Sequence, residues 1–125
     1  MDRSILFVGL GGFLGSIARY FVTILLSGQA SSRFPLATFV VNISGCFLIG
    51  VLFALSDRGN ILSPEWRIFL ATGFCGGFTT FSAFSYESIK LLQSGEILYL
   101  SMNVILSVFV GFAATYLGIL LVRSI

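Results

Sequence analysis

Four apolar stretches, separated by short polar turns, make up most of the chain. Three of them, 4–26, 36–56 and 97–122, each supply about 20 residues, the number a helix needs to cross the bilayer core. The remaining stretch, 64–93, is too long for one plain span. The connecting runs SGQASSRFP, DRGNILS and SGE have turn composition and are too short to hold a soluble domain. The pattern predicts one all-α membrane domain over residues 1–125 with four transmembrane helices.

The starts of two spans carry further signals. Ser63 is a good N-cap, Pro64 suits the first helical position, and Glu65 places an acidic group in the first turn. Residues 1–3 carry both charge signs, and no small-residue cleavage site follows a short apolar core. The first stretch is therefore predicted to be a retained span and not a signal peptide.

The third stretch changes character at GFCGGFTTFSAFSYE, residues 73–87, which has three glycines, two threonines, two serines and four phenylalanines. Glycine and threonine are weak helix formers, so this helix is predicted to break at 76–80, near mid-membrane. Non-helical backbone at that depth is tolerated only inside protein or along a cavity. Its carbonyls are candidate cation ligands, and half-helix N-termini can face an anion. A continuous helix with glycines for close packing is the alternative.

Two phenylalanines follow the predicted break on one helix face. Phe81 and Phe84 are three residues apart, and Thr80, Ser82 and Ser85 lie between or beside them. The edge of an aromatic ring is positive, so rings presented edge-on can solvate a small anion without a full positive charge. Contact with lipid or core is the alternative for each ring.

Two polar residues lie inside the first two spans. Asn42 offers two donors and one acceptor near the centre of the second span, where it either serves a permeant ion or joins helices. Arg19 lies about 24 Å along the first span at about 1.5 Å per residue. It either extends to the interface or raises the local anion concentration in a vestibule.

Other polar residues fall on the later spans. Glu87 and Lys90 are one turn apart, a spacing that allows an ion pair on the helix surface. The fourth span carries a polar stripe at intervals of four, which either bonds a neighbouring helix or lines a wet path. Its members are Asn103, Ser107, Gly111 and Thr115.

Composition supports the membrane class and excludes several others. The chain is 57 % hydrophobic and 10 % charged, whereas soluble domains are about a quarter charged. Histidine is absent, which excludes histidine-based catalysis and most transition-metal sites. Cys46 and Cys75 lie in apolar segments and are predicted to be small buried hydrophobes. There is no basic run for nucleic acid, and no catalytic group is evident, so an enzyme is not expected.

The basic residues barely fix an orientation. With the N-terminus inside the cell, four cationic residues face inward and three lie outside or near the outer end of a span. The chain therefore either inserts both ways, as an inverted pair, or keeps one orientation with a weak bias. The inward set is Arg3, Arg58, Arg67 and Arg123, against Arg19, Arg33 and Lys90.

The pairs Gly11/Gly15 and Gly12/Ser16 are predicted to pack helices closely.

Three stretches in order, GGFLGSIARY, FVVNISGCFLIG and GFCGGFTTFSAFSYE, resemble the Fluc (CrcB-type) fluoride channel family over the whole chain. The resemblance implies an antiparallel dual-topology homodimer in the bacterial inner (plasma) membrane, with two pores for passive fluoride export. Its expected partners are fluoride, a second copy and the lipid bilayer, with no nucleic acid. It also implies a structural Na⁺ at the dimer two-fold axis, held by the backbone carbonyls of Gly76 and Thr79 from each subunit.

The resemblance also implies roles for individual residues. Arg19 would face the vestibule, and the fluoride pore would be lined by Asn42, Thr80, Phe81, Ser82, Phe84, Ser107 and Thr115. Gly111 departs from the hydroxyl-rich track that the family carries on its fourth span. A small dual-topology multidrug or cation exporter that depends on Glu87 is the alternative function. A membrane scaffold that packs through its glycine-rich faces is a third.

Overall fold

The computed structural model describes residues 2–26, 33–59 and 61–125, and this part of the chain is all-helical. Within it, four helical stretches are long and apolar enough to cross a membrane. The elements are α1 (Ser4–Leu26), α2 (Leu36–Asp57), α3 (Pro64–Arg67), a π-helical segment (Ile68–Cys75), α4 (Gly76–Phe78), α5 (Phe81–Gln93) and α6 (Ile97–Arg123). The bounds of these four stretches agree with those of the predicted spans to within one residue. Most of the first predicted turn, 27–32, lies outside the described residues, as do residues 1 and 60.

The third span begins as predicted and then departs from a regular helix. The Ser63 hydroxyl accepts from the Trp66 amide at 3.3 Å, with Pro64 at the first helical position. After one α-helical turn the backbone widens into the π-helical segment, a form that is rare and is usually a short bulge. This widening was not predicted.

The predicted break in the third span is confirmed, but it lies at the C-terminal end of the predicted interval. Gly76 keeps helical angles (φ −62°, ψ −37°), whereas Thr79 (φ −83°, ψ 158°) and Thr80 (φ −153°, ψ 115°) are extended. The expectation that the glycines would unwind is wrong. Gly77 stays helical against Gly12, whose carbonyl oxygen would lie 2.5 Å from a Cβ at position 77.

Two helix pairs form the bundle. α6 packs along α2, and α1 packs along the π-helical segment and α4. Gly11 and Gly15 of α1 are buried, and a Cβ on either would meet the carbonyl oxygen of Phe69 or of Phe74 respectively. The predicted small-residue packing of α1 is therefore confirmed, because the close approach leaves no room for side chains there.

The close approach of α6 to α2 gives a stability prediction. A Cβ on Gly118 would press on the Phe47 carbonyl oxygen and lie 3.0 Å from the Val51 amide nitrogen, and these backbone atoms cannot move independently. We expect Gly118→Ala to destabilise the protein by about 1–3 kcal/mol, the usual cost of overpacking. The measurement is the thermal midpoint of the detergent-solubilised protein. Gly9→Ala is the control, because nothing lies within 4 Å of a Cβ there. An equal shift in both variants would contradict the prediction.

Candidate functional site

Asn42 of α2 holds the break in the third span. Its Oδ1 accepts from the Thr80 amide at 2.8 Å, and its Nδ2 donates to the Thr80 carbonyl at 3.1 Å. The Thr80 hydroxyl then accepts from the Ala83 amide at 3.1 Å and caps α5. One side-chain amide thus satisfies both backbone groups of an extended residue that has left the helix.

The backbone carbonyls around the break differ in their partners. The Gly77 carbonyl accepts from Arg19 Nε at 3.1 Å. No hydrogen bond from the described residues reaches the carbonyl oxygens of Gly76, Phe78 or Thr79. Two of these three are the predicted cation ligands, so the donor set fits a hard cation that prefers oxygen.

An open groove of about 490 Å³, the break groove, lies between α2, the third span and α6. Phe81, one of the residues that line this groove, is 78 % exposed. Its ring centroid lies 5.7 Å from that of Phe84, at an interplanar angle of 44°. The groove brings together most of the residues predicted as pore and cation site. Its lining includes Asn42, Gly76, Thr79, Thr80, Phe81, Phe84, Ser107 and Phe112.

A second groove of about 310 Å³, called the vestibule groove below, is lined by Arg19, Tyr20, Thr38 and Glu87 among others. Thr80 lines both grooves, so the break forms the wall between them. Glu87 also lines the vestibule groove, where it accepts from the Thr38 hydroxyl at 2.5 Å. The Glu87–Lys90 ion pair that the spacing allows is not formed, because Lys90 instead places its Nζ 5.9 Å from the centroid of the Tyr86 ring.

The polar stripe of the fourth span is only partly brought to the grooves. Ser107 lines the break groove, whereas Asn103 is 2 % exposed and donates to the Ser88 hydroxyl at 3.0 Å. Asn103 therefore joins α6 to α5. Thr115 does not line either groove, and its hydroxyl donates to the Gly111 carbonyl on its own helix at 3.2 Å.

Two further sequence predictions concern side chains near the grooves. Ser82 is exposed beside the break, with its Oγ 3.1 Å from the Thr80 hydroxyl oxygen. Both cysteines are free. The predicted burial is confirmed for Cys75, whereas Cys46 is only partly buried. In the described part of the chain, no group of three or more His, Cys, Asp or Glu residues could hold a metal ion. The backbone carbonyls are the candidate cation ligands there.

Two residues that shape the site escaped the sequence interpretation. Gly45 leaves room for the Thr79 side chain, because a Cβ at position 45 would overlap the Thr79 methyl group. Thr38 binds Glu87 across the bundle. A signal was present, since Thr38, Asn42 and Gly45 recur at helical spacing on one face of α2. That face is the one turned toward the break.

The chain is similar to proteins of one family. A family model described as CrcB-like protein, Camphor Resistance (CrcB), matches residues 6–119. A protein of Flavobacterium psychrophilum named fluoride-specific ion channel FluC is 46 % identical over 123 residues, 98 % of this chain and 99 % of its own. Its namesake from Chlorobium phaeobacteroides (strain DSM 266) is 54 % identical over 113 residues, 90 % of this chain and 87 % of its own. The Geotalea daltonii protein of that name is 44 % identical, at 98 % and 99 % coverage.

Proposed function

The chain belongs to the CrcB-like family, and on this premise we propose that it is a passive channel through which fluoride leaves the bacterial cell. Its relatives are named as ion channels, so it belongs with transport proteins and not with enzymes. The four apolar helices make it a multi-pass membrane protein. The observation that carries the proposal is the break at Thr79–Thr80, which opens between two grooves lined by hydrogen-bond donors and aromatic rings.

The break groove offers a fluoride ion weak contacts in series. Fluoride is small and strongly hydrated, so a pore must supply several close donors without binding it too tightly to leave. Asn42 keeps one amide hydrogen beyond the bond to Thr80, and hydroxyls follow in the groove at Thr80 and Ser107. Ser82 stays a predicted pore residue beside the groove, in contact with the Thr80 hydroxyl. The edges of the Phe81 and Phe84 rings complete the proposed pore wall. Thr115 stays a predicted pore residue. Fluoride would meet it beyond the part of α6 that lines the break groove. Arg19 raises the anion concentration in the vestibule groove.

The proposed channel is an antiparallel homodimer with two pores. The break groove is open on one side, and Phe81 and Phe112 in its lining are 78 % and 74 % exposed. A second copy covering this face would turn an open groove into an enclosed path. The near balance of basic residues supports insertion in both orientations, which an antiparallel pair requires.

The proposed dimer holds a structural Na⁺ at its two-fold axis. The Gly76 and Thr79 carbonyl oxygens of each copy would ligate it, since they have no hydrogen-bond partner among the described residues. A bound cation would offset the repulsion of carbonyl dipoles that meet inside the membrane. The ion's contribution is structural, because it neutralises these dipoles and fixes the position of the break.

Fluoride efflux from liposomes tests the function. The purified protein is reconstituted into liposomes loaded with potassium fluoride, and efflux is recorded with a fluoride electrode. We expect efflux to begin when valinomycin lets K⁺ carry the counter-charge, because a passive channel moves net charge. Equal efflux of chloride, or no efflux from dimeric protein, would contradict a fluoride channel.

The same assay separates the channel from its alternatives. Fluoride movement without valinomycin would indicate proton-coupled transport, in which charge is already balanced. A multidrug exporter would move organic cations against a proton gradient and leave fluoride inside, and a scaffold would move neither. No feature of the described residues favours the exporter, because the Glu87 carboxylate is bound to Thr38.

Removal of sodium tests the proposed cation. With N-methylglucamine as the only other cation, we expect the thermal midpoint of the detergent-solubilised dimer to fall. We also expect fluoride efflux, measured with a protonophore to balance charge, to fall at least about tenfold. Restoring Na⁺ should recover both quantities, since a ligand that binds only the folded state stabilises it by mass action. Unchanged stability and efflux after exhaustive removal would contradict a structural Na⁺.

A further inference from the structure

Arg19 contacts the break and the vestibule groove at once. Its Nε donates to the Gly77 carbonyl at 3.1 Å, and the residue also lines the vestibule groove. A guanidinium carries five N–H donors, and the other four belong to the two terminal nitrogens. Within the described part of the chain, no further hydrogen bond engages those terminal nitrogens. One end of the group is thus fixed to the backbone of the break, and the other is available to an anion.

The carbonyl that Arg19 holds lies among the proposed cation ligands. Gly77 follows Gly76 directly and precedes Thr79 by two residues. A cation at the Gly76 and Thr79 carbonyls would therefore lie close to a positive guanidinium, and the two charges would repel each other. Away from bulk water this repulsion is strong, because the effective dielectric constant is low. An anion at the terminal nitrogens would offset the guanidinium charge and reduce the repulsion.

We propose that Arg19 couples a fluoride ion in the vestibule groove to the cation at the break, so that each ion strengthens the binding of the other. Chloride is larger and a weaker hydrogen-bond acceptor, so it couples less. This proposal rests on the sodium site of the proposed function. Binding of fluoride to the guanidinium lowers the electrostatic cost of Na⁺, and by thermodynamic linkage Na⁺ raises the affinity for fluoride by the same factor. Arg19 is a positioning residue in this scheme, since it acts on Na⁺ through its charge and through the Gly77 carbonyl.

The test compares the Na⁺ requirement in fluoride and in chloride. Thermal midpoints of the detergent-solubilised dimer are measured over a series of Na⁺ concentrations, with ionic strength held constant by N-methylglucamine salts. We expect fluoride to lower the Na⁺ concentration for half-maximal stabilisation by about fivefold relative to chloride, the lower end of typical coupling. Arg19→Gln and Arg19→Met remove the charge, so the Na⁺ concentration for half-maximal stabilisation should be the same in fluoride and in chloride. Arg19→Lys should restore part of the difference, because it keeps the charge.

Phe21→Leu is the control on the same helix, since Phe21 is 62 % exposed and lines neither groove. It should keep the fivefold ratio. Two outcomes overturn the coupling and leave the proposed channel untouched. One is equal stabilisation by Na⁺ in fluoride and chloride in the wild type. The other is that Arg19→Gln or Arg19→Met folds and keeps the wild-type ratio of half-maximal Na⁺ concentrations. Absence of any Na⁺ stabilisation in the wild type overturns the sodium site and the coupling together. Fluoride efflux from liposomes still tests the channel in that case.

Discussion

Replacement of Asn42 by alanine is expected to reduce fluoride efflux by about two orders of magnitude. The change removes both hydrogen bonds to Thr80 and leaves an amide and a carbonyl without partners inside the membrane. Each unsatisfied group costs about 1–3 kcal/mol. A total near 3 kcal/mol corresponds to about a hundredfold, at about 1.4 kcal/mol for each factor of ten. The backbone can avoid this cost by closing the helix across the break, which directs the Thr80 amide to the Gly76 carbonyl and displaces Phe81.

The measurement for Asn42→Ala is the initial rate of fluoride efflux per dimer in liposomes, with dimer content checked by size-exclusion chromatography. Ser44→Ala is the matched control on the same helix. Its hydroxyl bonds only the Val40 and Val41 carbonyls of α2, so its loss should leave efflux near the wild-type rate. Wild-type efflux from Asn42→Ala would show that the amide neither holds the break nor serves the ion.

Phe81→Ile is expected to lower fluoride efflux at least about tenfold while the protein stays folded and dimeric. The Phe81 ring is 78 % exposed within one chain, so shortening it removes little packing from the bundle. Isoleucine keeps an apolar surface but lacks the positive ring edge that can face an anion. The tilted contact with Phe84, at 5.7 Å between ring centroids, is lost as well.

The control for Phe81→Ile is Phe13→Ile, which changes a 63 % exposed ring on α1 that lines neither groove. Both variants are compared by efflux rate and by thermal midpoint. Reduced efflux in Phe81→Ile alone, with similar midpoints, supports a role of the ring in conduction. Equal efflux in the two variants would mean that Phe81 only packs against the second copy or lipid.

The sequence predicted the spans well because apolar length and turn composition are local properties. The Ser63–Pro64 helix start and the SGE turn, with Gly95 at φ +77°, are likewise local. The break was predicted within its interval, but only the threonines of that interval leave the helix, and the glycines do not. Glycine permits unwinding, yet Gly77 is held helical by contact with α1. The Thr79 amide still bonds the Cys75 carbonyl, and the helix opens at Thr80, whose amide and carbonyl both bond Asn42 instead. The contact on α1 and Asn42 lie tens of residues away in the chain.

Two features had no local signal. The π-helical segment coincides with the closest approach of α1, where Gly11 and Gly15 meet the Phe69 and Phe74 carbonyls. Packing from another span therefore accompanies the widening. On α6, regular spacing suggested one polar stripe, but its members have different surroundings in the structure. Asn103 turns to Ser88 of α5, and Ser107 lines the break groove, because two different elements cover that face.

Both side chains that support the broken helix precede it in the chain. Arg19 and Asn42 belong to the first two spans, whereas Gly77 and Thr80 belong to the third. Synthesis proceeds from the N-terminus, so the spans that carry the guanidinium and the amide leave the ribosome before the break does. The backbone of the break can then bond Arg19 and Asn42 as it enters the membrane. Exposure of the same backbone to lipid would favour a closed helix. The order of the spans thus places the two side chains that bond the break ahead of it in synthesis.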